Sequence, residues 1–244
     1  MTSLVLLTLS LSEVVPAINL VSKPKYPLLS PKPGRDCISC AVVATGGVLW
    51  KSRKGREIDN HDYVFRCVNG AVIKGFEEDV GSRTDVYVHT AFSITAPVFV
   101  SLGIKYVLIP EGKRDFEWLT GLYKRERLSD TLPSSLIHRF LNSSTLNLGF
   151  WPIVRPTNGA FMMFVALHVC DRVDAYGFIS DDHRKYSNYY YERGANTHVT
   201  FFGNHNYNME KDLWKIFHEL KIINLYSGES DPTEPTAPKQ NRRR

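Results

Sequence analysis

The sequence predicts an α/β sandwich with a largely parallel sheet flanked by helices. Three observations predict it. Short runs rich in Val, Tyr and Ile, each of strand length, alternate with helical patterns between residues 35 and 227. The run Ala160 to Val169 is apolar almost all round, as in a helix packed on a sheet. Near the end, Met209, Leu213, Ile216, Phe217 and Leu220 fall on one helical face.

The elements follow in order. Cys40 to Ala44, Tyr63 to Cys67, Asp85 to His89 and Tyr106 to Ile109 read as strands. Residues 114–127 read as a charged surface helix and 134–141 as a weaker one. Thr157-Asn158-Gly159 is a helix start for the apolar run that follows. Val173 to Phe178 is the next strand, then the last helix, with Ile222 to Leu225 as a final strand.

The domain limits come from composition. Residues 1–34 read as a leader and stem-like linker, because Lys23-Pro24, Tyr26-Pro27, Ser30-Pro31 and Lys32-Pro33-Gly34 break regular structure. The apolar run Val5 to Leu11 is closed by Glu13 and Pro16, too short to span a bilayer. Residues 35–227 form the globular domain, and 228–244 are a Pro-rich, charged, disordered tail. At 244 residues, with 43% hydrophobic and 23% charged, the chain suits one large domain or two small ones. Part of the net charge of +5 sits in Arg242-Arg243-Arg244, and no nucleic-acid motif accompanies it.

Four cysteines are present: Cys37, Cys40, Cys67 and Cys170. The pair Cys37 and Cys40 has the spacing of a zinc half-site or a redox pair. No second half completes a metal site, and the apolar run after Cys40 favours a strand over the helix of a redox pair. One of the two therefore reads as a structural disulfide cysteine in an oxidising compartment.

Chemistry is expected beyond the carboxyl ends of the strands. Three places qualify. The turn Ala44-Thr45-Gly46-Gly47 has glycines that would let backbone N–H groups approach a phosphate. The turn Arg155 to Ala160 opens the apolar helix, whose N-terminus suits phosphate or carboxylate. In His205-Asn206-Tyr207-Asn208-Met209-Glu210, Glu210 lies in the first turn of the last helix and His205 precedes it in a polar loop. Near a sugar hydroxyl, His205 has the chemistry of a general base.

Taken together, these segments resemble the sialyltransferase family. Cys40-Ala41-Val42-Val43, Gly46-Gly47, His61-Asp62-Tyr63-Val64-Phe65-Arg66, Asn69-Gly70-Ala71, Gly75-Phe76-Glu77 and Asp79 to Thr84 look like the long sialylmotif. Arg155-Pro156-Thr157, Gly159-Ala160, Cys170-Asp171 and Tyr176-Gly177-Phe178 look like the short one. Tyr189-Tyr190-Tyr191-Glu192 fits the third motif, and His205 with Glu210 fits the last. The form of the long motif is most similar to the alpha-N-acetylgalactosaminide alpha-2,6-sialyltransferases.

The resemblance implies a Rossmann-like sandwich of the variant GT-A kind. It implies transfer of sialic acid from CMP-sialic acid, without a metal cofactor, to the 6-hydroxyl of O-linked GalNAc on a mucin-type glycoprotein, with inversion. It implies a Golgi membrane protein with its catalytic domain in the lumen, and a disulfide between Cys40 and Cys170. By the same resemblance, His205 is the general base. Thr45, Asn69, Thr157, Asn158 and Gly159 bind the donor, Tyr189 or Tyr190 steadies the leaving phosphate, and Glu210 is structural. Asn142-Ser143-Ser144 is a glycosylation sequon that suits the secretory setting. The chain departs from the family pattern at Ala44-Thr45, where relatives usually have Gly-Asn, at Asn158, where they have a hydroxyl residue, and by one extra residue between Arg66 and Asn69. All three departures lie on the donor side. The rival expectation is a sialyltransferase-like protein that binds a nucleotide or glycan without catalysing.

Overall fold

A computed structural model describes residues 11–21, 25–67, 73–90, 103–110, 113–124, 156–193, 195, 197–203 and 205–228. The expected positions Asn69 and Asn142, the helix over 134–141 and the tail beyond 228 lie outside the described residues.

Six strands form one sheet: β1 (Ser39–Val43), β2 (Tyr63–Cys67), β3 (Val86–His89), β4 (Lys105–Leu108), β5 (Arg172–Tyr176) and β6 (Asn224–Leu225). Their order is β4-β3-β2-β1-β5-β6, and every pairing among them is parallel. Parallel strands are covered on both faces, which is why Cys40 to Val43 reads as an unbroken apolar run and β2 is apolar but for Arg66. Side chains nevertheless alternate. Cys40, Val42, Phe65, Val173 and Ala175 join one buried cluster, while Ala41, Val43, Val64 and Tyr176 join the other.

Helices cover both faces. On the first lies α5 (Asn158–Val169), which contacts β1, β2, β3 and β5. With it comes α6 (Tyr207–Glu219), whose Trp214 is fully buried against Phe178 and Phe164. On the second face lie two short helices, α2 (Gly55–Asp59) and α3 (Glu77–Val80). A further pair, α1 (Leu11–Asn19) and α4 (Lys113–Lys124), pack on one another.

Three expectations need correction. A helix, α1, forms inside the stretch read as a leader, and the stretch also docks: Leu29 is buried and the Tyr63 hydroxyl donates to the Ser30 carbonyl (2.7 Å). The α6 face is rotated. Glu210 and Trp214 are buried and Phe217 packs beside them, whereas Met209, Ile216 and Leu220 are exposed. The apolar arc is wider than the part that the sheet covers. Most strand limits also shift by one or two residues, because burial extends past the residues that make ladder hydrogen bonds.

The Cys40 and Cys170 sulfurs are bonded, with Cα atoms 6.1 Å apart. The bond links β1 to the residue that ends α5, across 130 residues of chain. A loop of that length is worth about 5 kcal/mol in the chain-entropy picture. Cys37 is a free, exposed thiol and Cys67 a free, buried one.

Candidate functional site

The chain runs outward from β1 through β2 and β3 to β4, then returns to the other side of β1 as β5. The switch point therefore falls between β1 and β5, and a crevice opens beyond their carboxyl ends. A cavity of about 310 Å³ lies there. Its walls come from the turn after β1, the turn after β5, the starts of α5 and α6, and the loops around 183–189 and 199–205.

The turns are held by backbone contact. Ala44 N–H donates to the Tyr176 carbonyl (2.8 Å) and Gly46 N–H to the Gly177 carbonyl (2.9 Å). Tyr190 N–H donates to the Thr45 carbonyl (3.0 Å). A Cβ at Gly46 would sit 2.5 Å from the Gly177 oxygen, and one at Gly47 would sit 2.0 Å from the Ser187 oxygen. The glycines are thus needed for close backbone packing, which differs from the expectation that they bring N–H groups to a phosphate. The Gly46 amide is already committed.

The start of α5 is different. Thr157 caps it, its hydroxyl oxygen accepting from Ala160 N–H (3.0 Å). That hydroxyl donates to one Glu210 oxygen (2.7 Å), and Thr157 N–H donates to the other (2.7 Å). The Thr157 hydroxyl is therefore a builder of the turn and has no donor left for a ligand. The amides of Asn158 and Gly159 have no acceptor among the described residues, and both residues line the cavity. Two N–H groups at the positive end of a 12-residue helix make a site for an anion.

Glu210 is buried in the first turn of α6, so the same carboxylate joins the starts of α5 and α6. His205 lines the cavity just ahead of α6. Its N–H donates to the Phe202 carbonyl (3.1 Å), and its ring meets Tyr207 edge-on at 5.7 Å. Burial pushes the Tyr207 phenol up to about 12, so it stays a hydrogen-bond donor at neutral pH.

The structure separates the two candidate tyrosines. Tyr189 lines the cavity and stacks on Tyr191 at 5.0 Å. Tyr190 is fully buried in the second cluster, edge-on to Phe76 at 5.5 Å, and is not a wall of the cavity. The phosphate contact expected of Tyr189 or Tyr190 can come only from Tyr189. Thr45 lines the cavity as expected.

Arg66, part of the long motif quoted above, takes a structural place in the fold, and several side chains of the cavity gave no signal in the sequence. Arg66 is fully buried and donates to the carbonyls of Val80 (2.5 Å) and Arg83 (2.9 Å), fixing the end of α3. Burial pulls its guanidinium down to about 10, which leaves it charged at neutral pH. His183, Tyr186 and Ser187 also line the cavity. They come from a single 3₁₀ turn (His183–Lys185) and the residues just after it, too short to show a period. Cys67 lines it too, with its thiol pushed up to about 12 by burial and hence poorly nucleophilic. Among the described residues, no group of three or more His, Cys, Asp or Glu is placed to hold a metal ion, and no helix is long and apolar enough to cross a membrane.

Comparison with known proteins bears directly on this site. The model of glycosyltransferase family 29 (sialyltransferase) matches residues 5–222. Alpha-N-acetylgalactosaminide alpha-2,6-sialyltransferase 1 of Mus musculus is 41% identical over 229 residues, covering 78% of this chain and 43% of the relative. Alpha-N-acetylgalactosaminide alpha-2,6-sialyltransferase 2 of Homo sapiens is 38% identical over 235 residues, covering 80% of this chain and 62% of the relative. The chain thus spans about two fifths to three fifths of the length of these relatives. A crystal structure of a mammalian sialyltransferase superposes with a TM-score of 0.67 at 26% identity, covering 89% of this chain and 79% of that one. A mammalian sialyltransferase in complex with Gal-beta-1-3GalNAc-ortho-nitrophenol gives a TM-score of 0.64. With a parallel sheet, a crevice at its switch point and a family match across most of its length, the chain belongs to the sialyltransferases of glycosyltransferase family 29.

Proposed function

We propose that this chain transfers sialic acid from CMP-sialic acid to the 6-hydroxyl of GalNAc O-linked to Ser or Thr, with inversion. The observation that carries the reading is a pairing. One buried carboxylate, Glu210, ties the anion-accepting start of α5 to the helix whose entry carries His205, so an anion site and a base share one cavity. The similarity to relatives named alpha-N-acetylgalactosaminide alpha-2,6-sialyltransferases supports the choice of linkage and acceptor.

The chemistry follows from the parts. Departure of CMP leaves an oxocarbenium-like centre at the anomeric carbon. His205 removes the proton of the acceptor hydroxyl as its oxygen attacks the opposite face. The amides of Asn158 and Gly159 hold the donor's phosphate or carboxylate, and the Tyr189 phenol donates to the leaving phosphate. Thr45 adds a hydroxyl beside them, and the family pattern assigns Asn69 to the nucleotide. The reaction as proposed takes place in the Golgi lumen, in a membrane protein of the family kind, on a mucin-type glycoprotein and without a metal in its steps, with Asn142 as a site of N-glycosylation.

The test is transfer from CMP-sialic acid to an asialo-mucin. We expect the parent chain to transfer, and His205→Ala to lower kcat by roughly 10²–10⁴-fold while CMP still binds. A parent chain that neither transfers nor binds CMP overturns the reading.

A further inference from the structure

The cavity holds a second histidine, His183, that the proposed reaction leaves without a role. Its Nδ1 lies 2.8 Å from the Ser180 carbonyl, which can only accept, so Nδ1 carries the proton. In the neutral ring Nε2 is then a lone-pair acceptor, and no partner for it lies among the described residues.

His183 is one end of an aromatic wall. Its ring meets Phe201 edge-on at 6.1 Å, Phe201 meets Tyr207 at 5.2 Å, and Tyr207 meets His205 at 5.7 Å. Phe202, which lines the cavity, is bound through its carbonyl to the His205 amide (3.1 Å). Both phenylalanines are nearly half exposed (48% and 47%), although they stand beside a polar site. An exposed aromatic patch at a cavity rim marks a surface that something apolar covers in use.

A pyranose ring suits such a rim. Its C–H face covers an aromatic surface, and its hydroxyls donate to a fixed acceptor. The acceptor hydroxyl must reach His205, so the residues on either side of that base border the acceptor. The start of α5, with its free amides, serves the anionic donor.

We infer that Phe202 and His183 form the acceptor-sugar subsite, Phe202 covering the C–H face of the pyranose and His183 Nε2 accepting one of its hydroxyls. This rests on the functional reading above. No bond forms or breaks at either residue, so both act on binding.

The experiment measures KM for a GalNAc-threonine peptide and for CMP-sialic acid separately, in the parent, His183→Phe, Phe202→Ala and Phe202→Tyr. His183→Phe keeps an aromatic ring in the wall and removes the acceptor atom. We expect acceptor KM to rise about tenfold in His183→Phe and Phe202→Ala, the loss of roughly one neutral hydrogen bond or one covered ring face. Donor KM should stay within twofold, and Phe202→Tyr, which keeps the ring, should recover most of the acceptor affinity lost in Phe202→Ala. Saturation-transfer NMR of the peptide in the presence of CMP reads the same loss without turnover. An active parent whose two variants keep the parental acceptor KM overturns this inference and leaves the functional reading standing, as does a rise in donor KM alone. A parent that neither transfers nor binds CMP overturns both.

Discussion

Glu210 accepts from a single residue, Thr157, through both of its oxygens. Its place in the first turn of a helix was readable from the spacing, because a carboxylate there complements the helix dipole. Its partner was not, since 53 residues separate the two and only tertiary folding joins them. The same limit applies to Tyr189 and Tyr190, adjacent in sequence, of which the first is half-buried at the cavity and the second fully buried in the core. Gly159 offers a sharper test of the site. A Cβ there would lie 3.5 Å from Phe178 and from the Thr157 hydroxyl, an ordinary contact, and alanine favours a helix by about 1 kcal/mol over glycine. We expect Gly159→Ala to melt at or slightly above the parent temperature. If donor phosphate approaches this amide, the methyl group should still raise donor KM roughly tenfold while acceptor KM holds. Unchanged donor KM would place the anion elsewhere.

At the scale of elements, the central strands were the most readable. β1 and β2 sit between two layers, so nearly every residue can be apolar, Arg66 excepted, and the run itself marks the strand. Short helices were not readable: α2 and α3 have five and four residues, too few to show a helical period. The last helix was readable as a helix and misread as a face, because Met209, Ile216 and Leu220 continue the apolar arc beyond the sheet. The two site turns show why local composition misleads. Gly46-Gly47 looks like a phosphate loop, yet its glycines make room for the backbone at Gly177 and Ser187. The distinction is testable. In Gly47→Ala the clash is with backbone and cannot be relieved by a rotamer change. We expect a loss of roughly 3 kcal/mol in urea unfolding, whether or not donor is present. A variant of parental stability that merely binds donor less well would restore the phosphate-loop reading.

On the scale of the whole molecule, one buried network ties the second helical layer to the sheet. His61 Nε2 lies 2.7 Å from the Asp174 carboxylate, and His61 Nδ1 lies 3.0 and 3.2 Å from the carbonyls of Glu57 and Ile58. Every partner is an acceptor, so both nitrogens must donate and the ring is cationic. Burial opposes that charge, but the Asp174 bond, its negative charge and the two carbonyls outweigh it, and the His61 pKa is raised. The native state then holds a proton that the unfolded chain releases near pH 6.5. Its stabilisation is complete below that pH and fades as pH rises through the raised value. We expect the urea midpoint to fall as pH rises above about 6.5 and to lose that slope in His61→Gln. A parental slope in the variant would assign it to other groups. The sheet order carries a different consequence, for synthesis. β1 lies between β2 and β5, and Cys40 waits for Cys170, 130 residues further along the chain. At roughly 5–20 residues per second, one edge of this central strand stands unpaired on the ribosome for roughly 6–26 seconds. During that interval the nascent chain offers an apolar strand edge and a reduced thiol to whatever is nearby. The chaperones and oxidants that meet it first therefore help decide whether the crevice ever forms.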